Sequence, residues 1–450
     1  MGRAIVVGAG VAGLTAARDL AEAGADVLVL EGTDRAGGKL RAGQVAGITV
    51  DVGAEAMLHR RPEGAALATA LGLPLTHPSA ATSRVWTREA LRPLPRTVMG
   101  APVDLDQLAD SGILSADGLA RARDQRPVDS TADTSVGDLV AARYGAEVVD
   151  RLVEPLLGGV YAGQARRISV RSAVPQLASL LAQPEVAVPL PPADAPPVFA
   201  ATEGGMWRLV AALADDLAAR PGVEVRYDAP VTALRRTGAG FVATTPQGDE
   251  AADHLVLATP AAPSARLLAD VAPDAARELA EIGYASVALV TLAFRADETA
   301  EVLDVGAAGF LVPPVDRRRI KASTFSFAKW DGVRVAGDGL LVLRTSLGRY
   351  GEEDTLQVPD AELVAASLAD LAAATGLRVP PVDAVVQRWG GGLPQYWVGH
   401  ADRVARVRAA VAAVPGLAVC GASYDGVGIP ATIGSAHRAV ADLLGGTMGA

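Results

Sequence analysis

The sequence predicts an α/β fold in which a parallel-sheet domain, assembled from separated stretches of chain, is interleaved with an α+β domain that contains a helical insertion. Three observations lead there. The first thirty residues alternate strand, glycine-rich turn, helix and strand; from about Leu58 to Leu190 the pattern turns helical with no second glycine fingerprint; and short strands return from Val223 onward and again near Leu417. The divisions this implies are 1–57, 204–284 and 387–450 for the first domain and 58–203 and 285–386 for the second, with 58–190 largely helical and 184–197 a proline-rich linker.

Composition sets the limits on class. A chain of 450 residues with 50% hydrophobic and 20% charged residues buries a large core. A single cysteine, Cys420, excludes an internal disulfide and fits a reducing compartment, so a cytoplasmic location is expected. No run approaches the ~20 apolar residues of a spanning helix, and the first residues begin a strand where a secretory signal would carry basic residues. A net charge of −10 argues against nucleic acid or an anionic membrane surface as partner, so basic residues that meet an anionic ligand must be local.

Ile5 to Val7 is an apolar run fit for a buried parallel strand, and GAGVAG follows with Gly8, Gly10 and Gly13 in GxGxxG spacing. Leu14, Ala17, Leu20 and Ala21 recur at helical intervals, Gly24 stops the helix, and Val27 to Leu30 is a second strand ending at Glu31. The glycines have separate tasks: Gly8 makes the tight turn, Gly10 admits a pyrophosphate to the backbone, and Gly13 lets helix pack on sheet. The helix N-terminus offers unpaired N–H groups to the phosphates, and Glu31 stands where a carboxylate accepts ribose hydroxyls. A lone GxGxxG occurs by chance in a chain with 48 glycines, but here strand, helix, strand and acid are in register. The unit is Rossmann-like and binds a dinucleotide.

The next stretch, DRAGGKLR, separates the dinucleotides. A nicotinamide enzyme has no evident use for more glycines after the ribose carboxylate, whereas a flavin runs on past the pyrophosphate. Arg35 and Lys39 can face phosphate or flavin oxygens, and Gly37 and Gly38 let backbone pass close to the cofactor. The cofactor expected is FAD. In GITVDVGAEAML, Ile48, Val50 and Val52 alternate as a strand before Gly53, Ala54 and Glu55.

Beyond Leu58, helices are expected over Ser135 to Tyr144 and Ala146 to Leu156; the prolines from Pro184 to Pro197 exclude helix there and read as a linker or lid. Gly204 to Ala219 is an amphipathic helix, strands follow near Val223–Arg226, Val231–Arg235 and Phe241–Thr245, and Asp253 to Pro263 holds a buried strand. A second excursion, about Tyr284 to Val386, has strands at Val287–Phe294 and Leu340–Leu343 and a helix from Asp360 to Gly376. Leu417 to Cys420 and a helix started by Pro430 close the first domain.

The pattern E-x3-R-x-G-G-K resembles the second motif of the FAD-dependent amine oxidase superfamily, with Lys39 where many members have Arg. LVEPLLGGVYAG (Leu152 to Gly163), GGMWRL, LPQYWVGH (Leu393 to His400) and GASYDGVGIP (Gly421 to Pro430) resemble signatures of its protoporphyrinogen and coproporphyrinogen oxidases, and the resemblance runs from end to end. It implies a Rossmann-like FAD-binding domain of amine oxidase type interleaved with an α+β substrate-binding domain. Contacts to FAD are then expected from Gly8, Gly10, Gly13, Glu31, Arg35, Gly38, Lys39, Gly53, Ala54, Glu55, Val231, Trp389, Val427, Gly428 and Ile429. Ala431 and Thr432 stand where relatives usually have Asp and Cys, which leaves that position without an inferred side-chain role.

The resemblance further implies a porphyrinogen substrate, dioxygen as acceptor with peroxide release, no metal, and a transient contact with the next enzyme of heme biosynthesis. No Ser-His-Asp set or metal-ligand spacing emerges, and no catalytic acid or base is assigned, since the flavin carries the reactivity. Propionates call for arginine; Arg61, preceded by His59, and Arg84 are the candidates. The tetracarboxylate coproporphyrinogen III is favoured over protoporphyrinogen IX, because the resemblance is to the soluble bacterial branch of the family and the chain has no long basic amphipathic segment for a membrane face. Two other classes stay open: an amine oxidase or desaturase, disfavoured by an aromatic content of 4%, and a flavin or porphyrin carrier without turnover.

Overall fold

The computed structural model describes residues 2–128, 132–184, 186, 188–189, 192 and 196–447. Five strands form a sheet in the order Val223–Arg226, Asp26–Leu30, Arg3–Val7, His254–Leu257, Leu417–Val419, and every pairing is parallel. Parallel neighbours cannot be joined by a hairpin, so each connection is a crossover, and the long ones carry the rest of the protein. Strand residues divide between two cores. Ala4 and Val6 face the helices Val11–Glu22, Trp207–Ala218 and Ile429–Thr447, while Ile5 and Val7 face Ala261–Leu268, Pro273–Ala280 and His400–Ala412. A sheet covered on both faces explains why its strands read as continuous apolar runs.

A seven-stranded sheet forms the second body, in the order Asp383–Pro394, Tyr284–Arg295, Leu340–Leu347, Ile320–Thr324, Ala307–Leu311, Thr82–Thr87, Ala90–Pro93. Along Leu340–Leu347 the side chains alternate: Leu341, Leu343 and Leu347 join the core beneath helix Asp360–Thr375, where Thr345 also bonds Ser367 at 2.7 Å, and Val342 packs on Val45, Ile48 and Val50 of the hairpin Ala42–Asp51. The helical insertion occupies Leu105 to Leu181 around Val140, Leu152, Leu157 and Leu177. Asp104, Ser115 and Ser135 cap three of its helices by accepting backbone N–H bonds.

The structure departs from the sequence reading in two places. Between Leu58 and Leu105, expected to be largely helical, the chain forms the strands Thr82–Thr87 and Ala90–Pro93, the second of them at the sheet edge. The β-branched and aromatic run TSRVWT favours a strand, and Arg88 and Glu89, both at positive φ, close the hairpin. The boundary drawn at 386/387 falls inside the strand Asp383–Pro394, whose pairing with Tyr284–Arg295 outweighs its Gly390-Gly391-Gly392 interruption. Of the proline-rich segment, residues 185, 187, 190, 191 and 193–195 lie outside the described residues. At its entry the fully buried Arg143 donates to the carbonyls of Leu181, Gln183 and Pro184, and Arg96 donates to that of Val188.

Candidate active site

The strand ends Val7, Leu30 and Leu257 converge on the first glycine loop. Gly8 has φ of +102° and its N–H bonds the Leu30 carbonyl at 2.8 Å. A Cβ on Gly13 would stand 1.8 Å from the Gly8 carbonyl oxygen, so no other residue fits there. At Gly10 nothing of the described chain lies within 4 Å of a Cβ position. Helix Val11–Glu22 begins at Gly10 with no side-chain cap and no acid in its first turn, leaving its first N–H groups for an anion. These are the features a dinucleotide pyrophosphate requires. Glu31 accepts from the Ala9 N–H at 2.7 Å and from the Thr33 N–H and hydroxyl at 2.9 and 2.8 Å, which fixes its carboxylate at the strand end. Ala229 donates to the Glu31 carbonyl at 2.8 Å, bringing the half-buried Val231 to the same edge.

The second glycine pair crosses the first. The Gly37 N–H bonds the Ala9 carbonyl at 2.8 Å, Gly37 bridges Gly10, and a Cβ on Gly38 would be 3.4 Å from the Gly10 Cα. Both glycines have positive φ, +107° and +55°. Arg35 locks the crossing by donating to the carbonyls of Ala36 and Gly38 at 3.0 and 3.1 Å. Lys39 has no ion-pair partner among the described residues, and desolvation pushes its ammonium down to about 8.

The Lys39 carbonyl seats the next loop. It accepts the Ala54 N–H at 3.2 Å and would lie 1.9 Å from a Cβ on Gly53. Trp389 closes on the same loop, its indole N–H bonded to the Val52 carbonyl at 2.9 Å. Glu55, buried, turns its carboxylate to Lys329 at 2.7 Å and Arg344 at 3.1 Å; Arg344 also donates to the Gly53 carbonyl at 2.8 Å. Burial alone would raise this carboxyl, but the two cations overcome it and hold it at about 2. Sequence reasoning missed Lys329 and Arg344, although Arg344 is the one charge in the strand LLVLRTSL.

The C-terminal helix Ile429–Thr447 presents its start to the same region. Tyr396 bridges its approach, donating to the Ala422 carbonyl and accepting the Gly426 N–H at 2.9 Å. Gly426 has φ of +137°, Ile429 is buried, and Val427 packs on the helical insertion. Cys420 is fully buried, and burial raises its thiol to about 12, which removes it as a nucleophile.

Of the three substrate candidates, His59 and Arg61 share the segment before helix Pro62–Ala70, and Arg84 stands on the strand Thr82–Thr87. Arg61 precedes helix Pro62–Ala70 and is paired with Glu63 at 2.7 Å. His59 lies 4.9 Å from His77, ring to ring. Arg84 shares its strand face with Trp86, which packs on Phe310, while Val85 points to the opposite face and the helical insertion.

The family model for flavin-containing amine oxidoreductases matches residues 11–444. The chain belongs to that family. Among its relatives, the coproporphyrinogen III oxidase of Mycobacterium leprae (strain TN) is 39% identical over 455 residues, covering 97% of each chain. That of Bacillus subtilis (strain 168) is 29% identical, covering 98% and 97%, and the protoporphyrinogen oxidase of Macaca fascicularis is 29% identical, covering 99% of each. The crystal structure of an Exiguobacterium sp. 255-15 protein assigned as a protoporphyrinogen oxidase superposes with a TM-score of 0.87 at 30% identity, covering 98% of each chain. Cyclohexylamine oxidase from Brevibacterium oxydans IH-35A, at 18% identity and a TM-score of 0.72 over 99% of each chain, shares the fold. The protein is thus a flavin-dependent oxidoreductase of the porphyrinogen oxidase branch. No helix among the described residues is long and apolar enough to cross a membrane.

Proposed function

We propose that the chain oxidises coproporphyrinogen III to coproporphyrin III in heme biosynthesis, with FAD as its flavin and dioxygen as final acceptor. The observation that carries the substrate is the 39% identity, over nearly the whole length, to an enzyme of that name. A cytoplasmic location belongs to the same proposal.

When bound, the flavin supplies two-electron oxidation, accepting hydride from the macrocycle and passing the electrons to dioxygen. The chain holds and positions. The open ground at Gly10, the Gly37–Gly38 crossing and the uncapped helix start receive the dinucleotide; Gly53 and Ala54 allow close approach to its ring; Trp389 fixes that loop. The start of helix Ile429–Thr447 favours negative charge on a ligand lying against it, by roughly 0.3–1 kcal/mol. No side chain is assigned as acid or base. Porphyrinogen to porphyrin removes six electrons, so three dioxygens become three peroxides per porphyrin. Arg61, with His59, and Arg84 are retained as outer contacts for propionates, and release of product to the next enzyme of the pathway is part of the same reading.

The test follows porphyrin fluorescence and peroxide release with coproporphyrinogen III and protoporphyrinogen IX in parallel. Faster turnover of the tetracarboxylate with three peroxides per porphyrin is expected. A flavin-loaded protein that oxidises neither would overturn the proposal and leave an amine oxidase, a desaturase or a carrier.

A further inference from the structure

Lys321 is a buried cation that no carboxylate answers. It is 5% exposed, and the one hydrogen bond of its ammonium goes to the Ser346 hydroxyl. The charged groups around it are Arg344 and Arg349. The nearby carboxylates are committed elsewhere: Glu55 to Lys329 and Arg344, Glu352 to Arg349 at 3.6 Å, Asp370 to the Ile320 N–H at 3.0 Å, and Glu154 to the Ala165 N–H at 3.1 Å with Arg166 beyond it. Among the described residues, no carboxylate oxygen lies within 4 Å of the Lys321 ammonium. Burial and the two arginines push its ammonium down to about 7, so an anion placed beside it would restore its proton.

Its position gives that deficit a purpose. Ser346 lies two residues beyond Arg344 on one strand, hence on the same face, roughly 7 Å along it. That face receives the loop Gly53–Glu55 through Arg344. On the side away from the loop, Ser346 pairs with Ala322 and Ala322 with Leu311, and Leu311 stands 3.7 Å from a Cβ position on Gly159 of helix Glu154–Tyr161. The next residue, Val160, is 41% exposed. Lys321 therefore sits on the floor between the flavin-side loop and an open apolar helix edge.

We propose that Lys321 is a substrate-binding residue whose ammonium anchors a carboxylate of the substrate on this sheet face. The inference rests on the function proposed above, in which that carboxylate is a propionate. A buried ammonium–carboxylate bond discriminates strongly between a substrate that supplies the anion and one that does not, because the unanswered cation is costly to leave dry.

The test uses flavin-loaded wild type, Lys321→Met and Lys321→Arg. Titration with coproporphyrin III and with its uncharged tetramethyl ester should show roughly tenfold or greater weakening of the acid in Lys321→Met, little change for the ester, and partial recovery in Lys321→Arg. KM for coproporphyrinogen III should rise by the same factor with kcat little changed. The melting temperature of Lys321→Met should be no lower than wild type, since a penalised charge has been removed. Equal binding of the acid by wild type and Lys321→Met, or a lower melting temperature with unchanged KM, would overturn the anchor and leave the function standing. Wild-type binding of the acid, weakened in Lys321→Met, without turnover would overturn the oxidase reading and leave the anchor. Failure of wild type to bind the acid would overturn both.

Discussion

Replacing Glu55 with Gln should cost the protein about 3 kcal/mol of stability at neutral pH. The carboxylate ties the loop beside Trp389 to Lys329 and Arg344, which stand on the second body of the fold. Its side chain is 9% exposed, so solvent screens the pair little. Holding the group at about 2, against an ordinary 4.5, is worth roughly 1.4 kcal/mol for each pH unit of difference. The figure agrees with the ~3–5 kcal/mol lost when one partner of a buried ion pair is removed. A depressed carboxyl stabilises fully above its unfolded value and loses that contribution as pH falls through the folded one. The wild-type advantage over Glu55→Gln should therefore be complete above about pH 4.5 and vanish toward about pH 2. Urea unfolding of both proteins across that range, followed by tryptophan fluorescence and flavin release, measures it. A difference below about 1 kcal/mol at neutral pH, or one that does not shrink on acidification, would refute the electrostatic account.

The two glycines three residues apart should behave differently. Gly13→Ala meets the Gly8 carbonyl at 1.8 Å and should lower both melting temperature and flavin content, costing about 1–3 kcal/mol or more; Gly10→Ala meets nothing within 4 Å and should fold normally while binding flavin more weakly, as flavin content against melting temperature will reveal. His437 on the C-terminal helix bonds Asp19 at 2.6 Å, and that bond raises its pKa, so the contact should stabilise at acid pH and fade as pH rises through the folded value; melting temperature against pH should lose this component in His437→Gln.

Local periodicity and the glycine spacing were enough to read the parallel-sheet domain, because a βαβ unit states its strand, turn and helix within thirty residues. The uses of Gly37 and Gly38 were half legible: close backbone approach followed from their type, but the surface approached includes the other glycine loop, which only the crossing discloses. The strands Thr82–Thr87 and Ala90–Pro93 are not legible because short alternating segments beside long helices carry little periodic signal. Glu55 shows the other limit. Its place beside Gly53 was readable, but its partners Lys329 and Arg344 come from sequence positions far away, and such pairings are properties of the tertiary fold. Arg84 was chosen by residue type and proximity in sequence, and strand alternation then turned it toward the Trp86 face.

The most direct test of the central claim is anaerobic mixing of the purified flavin-loaded protein with coproporphyrinogen III while the flavin absorbance is recorded. Bleaching of the flavin, with full recovery, porphyrin fluorescence and peroxide when oxygen is admitted, is the predicted result. A flavin that stays oxidised beside its supposed substrate would contradict the account, whatever the protein binds.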